Sequence, residues 1–363
     1  MHLGAQDDPA LLYEGGGVKA ATIRDVAERA HVSVASVSRV LNGAGPVTEA
    51  TRQRVLEAAN ALQYVPHSGA RSLSTSKSQT IGVILPDLYG EYFSELIRGM
   101  DVAARPLGYH LIVSSSHDDA EEASAAIRSM RGRVDGLIVL SPHLDAANLA
   151  ASLAGRLPIL LMNGGADAGR PSIVVDNHGG AVQAVEHLVA TGRRRIAHIA
   201  GPAGNLEAEA RLAGYLDAMA AAGLPTVVVD GEFTQTSGET AGAELARREP
   251  RPDAVLVLQD AGLRVPEDVA IIGFDDVPIA SLVRPALTTL RIQIAETGRS
   301  ALERLVRIIN AAGEAVADTA CEVVRPELVV RPSSDPATQV QPTSGGRARV
   351  PADLTALEGE NPQ

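Results

Sequence analysis

Arg39 is the side chain in this sequence best equipped to read another molecule by hydrogen bonds. Its guanidinium is a rigid fork of donors that matches guanine O6 and N7, a pairing worth about 1–3 kcal/mol of base discrimination. It belongs to the run Ser33-Val34-Ala35-Ser36-Val37-Ser38-Arg39. Val34, Ala35, Ser36, Ser38 and Arg39 form the outer face of one predicted helix, where they can reach base edges or phosphates. Val34 and Ala35 offer only apolar contact, for instance to a thymine methyl. The hydroxyls of Thr22, Ser33, Ser36, Ser38 and Thr48 and the amide of Asn42 suit phosphate oxygens. The competing reading is a three-helix protein-interaction module in which these polar groups are merely solvated.

The elements that must hold this face are legible at residues 22–42, TIRDVAERAHVSVASVSRVLN. Thr22 with Asp25 three positions later approximates a capping box, Asp standing in place of Glu or Gln. Ile23, Val26, Ala27 and Ala30 recur at helical spacing. The register breaks at His31-Val32, and Ser33 caps a second helix with Val37, Val40 and Leu41 facing inward. Two short helices locked across such a turn form the unit that lays its second helix in the DNA major groove. A third helix begins at Val47-Thr48, presents Val55, Ala58, Ala59 and Leu62 inward, and ends before Pro66.

The chain has 363 residues, which suits two or three domains. Aromatics make up 2% and Trp is absent, so the core must be built from Ala, Val, Leu and Ile. The net charge is −12, unevenly distributed. Lys19 to Gln79 holds eight Lys/Arg against four acids, a basic head of +4 on an acidic body. That asymmetry matches a DNA-contacting domain joined to one that stays off DNA. Cys321 is the only cysteine, so an internal disulfide or a cysteine-based metal site is excluded, which fits a reducing cytoplasm. The acidic N-terminus has no apolar segment of the signal-peptide kind, and no apolar run is long enough for a membrane span.

The expected organisation is a disordered extension (1–18), a helix-turn-helix domain (19–66), a small, polar and basic linker (67–79), an α/β domain (80–332) and a disordered tail (333–363). From Thr80, apolar runs alternate with amphipathic segments: 81–85, 110–115, 136–141, 158–163, 172–176, 195–201, 226–231, 254–258 and 269–274. Continuous apolar runs imply strands covered on both faces, hence parallel, doubly wound sheets. Two successive sets, about 80–195 and 196–290, predict two lobes with a cleft between them. Residues 326–332 supply a closing strand.

The DVAERAHVSVASVSRVLN run, the TRQRVLEAANALQYVPH run into the linker, VPEDVAIIGFDD (265–276), LTTLR (287–291) and PELVVRP stand in the order seen in one family. Over residues 20 to 333 the chain resembles the LacI/GalR transcriptional regulators. The resemblance implies a three-helix DNA-binding domain and a two-lobed domain like the periplasmic binding proteins. It implies a homodimer on a near-palindromic double-stranded operator, controlled by a small effector between the lobes. It assigns base reading to Val34, Ala35 and Arg39. It also implies that the linker folds on DNA, and that Leu73, sharing a face with Ala70, wedges into the minor groove. A plain flexible tether is the alternative. For the effector, the resemblance points to Tyr92 and Phe93 as stacking rings, Asp176 as a polar contact, Arg211 as the ligand-binding arginine, Phe233 as an aromatic wall and Asp260 as an acidic contact. An Asp at a strand end equally caps a helix, and Phe233 equally serves as core. Such a set suits a carbohydrate or nucleoside-like ligand.

One departure stands out. Only Gln259 to Asp268, ten residues including Gly and Pro, separate the strand-like runs 254–258 and 269–274. A parallel crossover needs about a dozen residues or more and usually a helix. The second lobe is therefore expected to lack one crossover helix. Either both strands remain with one sheet face bare, or one strand is displaced, and effector response would be blunted. An enzyme finds no support: there is no G-x-S-x-G elbow, no Walker A loop, no metal-ligand cluster and no cofactor motif. His178, His187 and His198 are scattered and read as surface or core residues. The leading expectation is an effector-responsive repressor. A DNA binder with blunted response and a cytoplasmic small-molecule-binding protein are the alternatives.

Overall fold

The computed structural model describes residues 21–42, 45–64, 77–117, 119–140, 157–163, 170–256, 264–311 and 319–335. The chain divides into two units, Met1–Ser78 and Gln79–Gln363. The expectations for the 1–18 extension, for Ala70 and Leu73, for Asp260 and for the tail beyond 335 fall outside the described residues.

The first unit contains α1 (Ile23–Arg29), α2 (Val34–Asn42) and α3 (Glu49–Ala61). The capping box forms as expected. Thr22 N donates to Asp25 Oδ2 at 2.7 Å, and Asp25 N donates to Thr22 Oγ1 at 3.4 Å. Left-handed His31 (φ 53°) turns the chain, and Ser33 Oγ accepts from Ser36 N at 3.1 Å. Thr48 caps α3 by accepting from Thr51 N. Val26, Ala27, Ala30, Val37, Val40, Val55, Ala58 and Ala59 form the shared core, with Ile23, Leu41 and Leu62 packed at its edge. Burying each Val contributes about 1.5–3 kcal/mol.

The second unit holds two sheets. The first comprises β1 (Thr80–Leu85), β2 (His110–Ser115), β3 (Gly136–Leu140), β4 (Ile159–Met162), β5 (Ser172–Val175) and β11 (Cys321–Val324). Its order is β11-β5-β4-β3-β1-β2, parallel throughout. The second comprises β6 (Ile196–Ile199), β7 (Val227–Val229), β8 (Ala254–Leu256), β9 (Ala270–Asp275), β10 (Thr288–Arg291) and β12 (Glu327–Val329). Its order is β12-β10-β9-β8-β6-β7, parallel except for β12 against β10. Helices α4 (Glu91–Ala104) and α9 (Ile294–Asn310) cover one face of the first sheet through Leu96, Met100, Leu302 and Leu305. Helix α5 (Ala120–Met130) covers the other through Ala123, Ile127 and Met130. On the second sheet, α6 (Asn177–Ala190) and α7 (Leu206–Ala221) pack through Val185, Leu188, Tyr215 and Met219. Helix α8 (Gln235–Arg247) packs opposite them through Ala241 and Leu245.

The lobes are not two successive stretches of chain, which corrects the division near residue 195. Helix α6 already packs on the second sheet, α9 returns to the first, β11 completes that sheet and β12 the second. The chain therefore passes between lobes near residues 176, 293 and 325. The return of α9 depends on small residues at its contact with α4. A Cβ at Gly99 would lie 1.9 Å from Ala295 O, and one at Gly298 would lie 2.4 Å from Leu96 O. Two helix backbones can touch this closely only where no side chain intervenes.

The short β8–β9 connection keeps both strands. They pair in parallel, with Ala254↔Ala270 and Leu256↔Ile272, so neither is displaced. Among the described residues, the connection runs through a turn at 264–269 rather than a helix. The bare face does not follow either: Val255 and Val269 are each 4% exposed. Ala241 and Leu245 of α8, with Val265 folded back from the turn, lie in the same cluster.

Candidate functional site

The outer face of α2 carries the residues singled out for DNA. Val34 is 42% exposed, Ala35 and Arg39 are exposed, and Ser36 and Ser38 are half-buried. Ser33 Oγ and Ser36 Oγ lie 3.0 Å apart, at the helix start where backbone N–H groups face outward. Thr22 and Thr48 are exposed caps of α1 and α3. Helix N-termini with exposed hydroxyls favour phosphate oxygens. Asn42 closes α2. Arg24, Arg29 and Arg54 are also exposed on this unit, and such positive charge promotes approach to DNA.

The second site forms where strand ends of the two sheets converge, the usual place for a ligand on open α/β sheets. Arg211 on α7 is its centre. Its Nε donates to Asn177 Oδ1 at 2.7 Å. Its guanidinium carbon lies 4.1 Å from the Phe274 ring centre and 5.6 Å from that of Phe233. Glu207, one turn earlier, sits with its Oε1 3.9 Å from Arg211 Nη2. Asn163, ending β4, donates from Nδ2 to that Glu207 oxygen at 2.9 Å, which ties one lobe to the other. A second tie runs from Ile279 N to Glu91 Oε2 at 3.1 Å.

Tyr92 and Phe93 open α4 with their rings edge to face, 5.2 Å apart. Burial, reinforced by the carboxylates of Glu207 and Asp275, pushes the Tyr92 phenol up, so it remains a neutral hydrogen-bonding group. Burial also raises both Glu207 and Asp275, and Arg211 offsets part of that in each. Asp275 Oδ1 is buried and has no hydrogen-bond partner among the described residues. Neighbouring Asp276 is held by Arg291 Nε at 2.6 Å and Arg331 Nη1 at 2.6 Å. Behind Arg211, His198 stacks on Tyr215 with ring centres 5.2 Å apart, 2% exposed, with neither ring nitrogen partnered among the described residues. Burial, then the Arg211 charge, pushes it down to about 4, so it is neutral.

Backbone strain gathers here. Asn163 (φ 54°), Phe233 (φ 55°), Asp275 (φ 81°) and Asp276 (φ 53°) are all left-handed. Asn and Asp tolerate that region, but a bulky Phe there is an outlier. The strain brings the Phe233 ring over Gly201, where a Cβ would lie 2.3 Å from Phe233 Cζ.

Of the residues singled out from the sequence, Arg211, Tyr92 and Phe233 come together, with Phe93 behind Tyr92. Asp176 Oδ1 accepts from Gly179 N at 2.8 Å and caps α6, next to Asn177, which binds Arg211. Asn163, Asn177, His198, Glu207, Phe274 and Asp275 were not anticipated as site residues. A usable signal existed for two of them, since Asn163 and Asp275 are polar residues ending apolar strands.

Comparison with known proteins bears on the family and the fold. Residues 22–67 match the model of bacterial regulatory proteins of the lacI family, and residues 185–334 match a periplasmic binding protein-like domain. The chain is 33% identical over 307 residues to catabolite control protein A of Priestia megaterium, covering 80% of this chain and 92% of that protein. It is 34% identical over 300 residues to the HTH-type transcriptional repressor CytR of Escherichia coli (strain K12), covering 78% and 88%. The Lac repressor dimer bound to operator and the anti-inducer ONPF superposes with a TM-score of 0.78 at 30% identity, over 87% of this chain and 99% of that one. The chain therefore belongs to the LacI family of bacterial regulatory proteins.

Proposed function

We propose that this protein is a transcriptional repressor that binds a near-palindromic operator as a homodimer and is controlled by a small sugar-like or nucleoside-like effector held between its lobes. The carrying observation is the inter-lobe cluster on Arg211, where rings, amides and carboxylates of both lobes converge at strand ends. A ligand seated there makes different contacts when the lobes rotate, which is what lets it bias a conformational equilibrium. Arg39 reads a guanine, Val34 and Ala35 add apolar contacts, and Thr22, Ser33, Ser36, Ser38, Asn42 and Thr48 fix phosphates. Ala70 and Leu73 act in the 67–79 segment, with Leu73 as the minor-groove wedge. Tyr92, Phe93, Arg211, Phe233 and Asp260 contact the effector directly, and Asp176 acts by capping α6 beside it. The protein works in the cytoplasm, where its operator is, and catalyses no reaction. Among the described residues, no helix is long and apolar enough to cross a membrane.

The covered Val255 and Val269 favour an intact effector response over a blunted one. Mobility shifts on the promoter region beside the gene test the first half of this reading. A retarded complex that survives competitor DNA is expected, and its absence would refute sequence-specific binding. Thermal-shift screening of sugars and nucleosides tests the second half.

A further inference from the structure

The centre of the inter-lobe site holds more negative than positive charge. Glu207 and Asp275 both lie there, burial raises the cost of ionising each, and Asp275 adds to that cost at Glu207. Arg211 is the cation that acts on both, but it is divided among Asn177, Glu207 and two aromatic rings. Even to Glu207 its distance is 3.9 Å, longer than a hydrogen bond. The contrast with the next residue is sharp. Asp276 has an arginine nitrogen 2.6 Å from each of its oxygens, although its Oδ1 makes no well-directed hydrogen bond, whereas Asp275 Oδ1 is buried with neither an ion pair nor a hydrogen-bond partner among the described residues. Both carboxylates occupy strained left-handed backbone at one strand end, yet only one is neutralised. The Asn163 amide donates to Glu207 and not to Asp275 Oδ1. His198 adds a buried, unpartnered and uncharged ring beside Arg211 rather than a second cation. A buried carboxylate without a partner is costly, and such sites persist where a ligand completes them.

Resting on the effector reading above, we infer that the natural effector is a polyhydroxylated molecule bearing a protonated amino group, such as an amino sugar, with its ammonium seated against Asp275 and Glu207. The ammonium supplies the donor that Asp275 Oδ1 lacks, and its charge offsets that of the Glu207 carboxylate beside it. The hydroxyls fall to Arg211 and Asn163, and the apolar face of the ring lies against Phe233. A phosphorylated or carboxylated ligand would bring a further negative charge onto two carboxylates and is rejected.

The test uses the full-length protein in two arms. The first needs no ligand. Asp275→Asn keeps the side chain's shape and removes the surplus charge, so the unliganded variant melts about 2–4 °C above the parent, the shift that a modest gain gives in a unit of this size. A variant that melts below the parent overturns the charge surplus and with it this inference, while leaving the effector reading in place. The second arm measures melting shifts with D-glucosamine, D-galactosamine and D-mannosamine, each against its neutral parent sugar and its 6-phosphate. The amino member leads at least one set, the phosphates give no shift, and Asp275→Asn removes the amino preference. A neutral sugar or a phosphate leading every responsive set overturns the inference alone. No shift from any class, with operator binding unmoved by all of them, overturns the effector reading as well.

Discussion

His198 should make this protein lose stability on mild acidification in a way that one substitution removes. The ring is 2% exposed, stacks on Tyr215 and lies close enough to Arg211 for that charge to oppose its protonation. Its pKa falls from an ordinary 6.5 to about 4 in the folded protein. The unfolded chain therefore takes up the proton first as pH drops. The stabilising contribution is complete above about pH 6.5, declines as the pH falls, and is lost by about pH 4. The gap corresponds to about 3 kcal/mol in total, of which about 2 kcal/mol is gone by pH 5. Glu207 and Asp275 work in the opposite sense, because their raised pKa values make the folded state gain stability as it takes up protons. The parent protein alone would mix these effects, so the comparison is with His198→Phe, which keeps a ring on Tyr215 and has no nitrogen to titrate. Urea unfolding followed by circular dichroism at about pH 7.5 and about pH 5 measures both proteins. The stability difference should shift by about 2 kcal/mol in favour of the variant at the lower pH. A difference that stays constant within about 0.5 kcal/mol would refute the assignment of His198 as a buried neutral group.

Three further outcomes are expected. Arg39→Ala should weaken operator binding by about 1–3 kcal/mol, with a much smaller loss on non-specific DNA in the same mobility-shift assay; equal losses would reassign Arg39 to a phosphate. Leu73→Ala should weaken operator affinity strongly and leave non-specific binding nearly unchanged, since only a bent duplex rewards the wedge; equal loss on both DNAs would sink that role. Gly99→Ala should cost about 1–3 kcal/mol in urea unfolding because the new methyl meets the Ala295 carbonyl, forcing α4 and α9 apart. A variant as stable as the parent would mean the helices separate without penalty.

Local chemistry carried well from sequence to structure. The capping pair Thr22/Asp25, the caps Ser33 and Thr48 and the inward faces of α1 to α3 all rest on neighbours within four positions, so their pattern is visible along the chain. Nine apolar runs became β1 to β9 for the same reason. Two strands escaped. Cys321–Val324 is too short and too exposed to show an apolar run, and Thr288–Arg291 is rich in Thr and carries no continuous apolar run.

The sequence alone determined a helix-turn-helix followed by doubly wound α/β lobes, and it nominated Arg211, Tyr92 and Phe233. Those rest on periodicity, capping and the order of motifs, which are properties of neighbouring residues. Only the tertiary structure decided that α9 and β11 return to the first lobe, a choice made by the close contact at Gly99 and Gly298. It also decided which carboxylates surround Arg211. Asn163, Glu207 and Asp275 lie far apart along the chain and meet only at strand ends. Asp176 and Asp276 look equally suitable in sequence but are occupied, one by the α6 N-terminus and the other by two arginines. Whether a carboxylate is free for a ligand depends on what packs beside it, and that is set by contacts between distant segments.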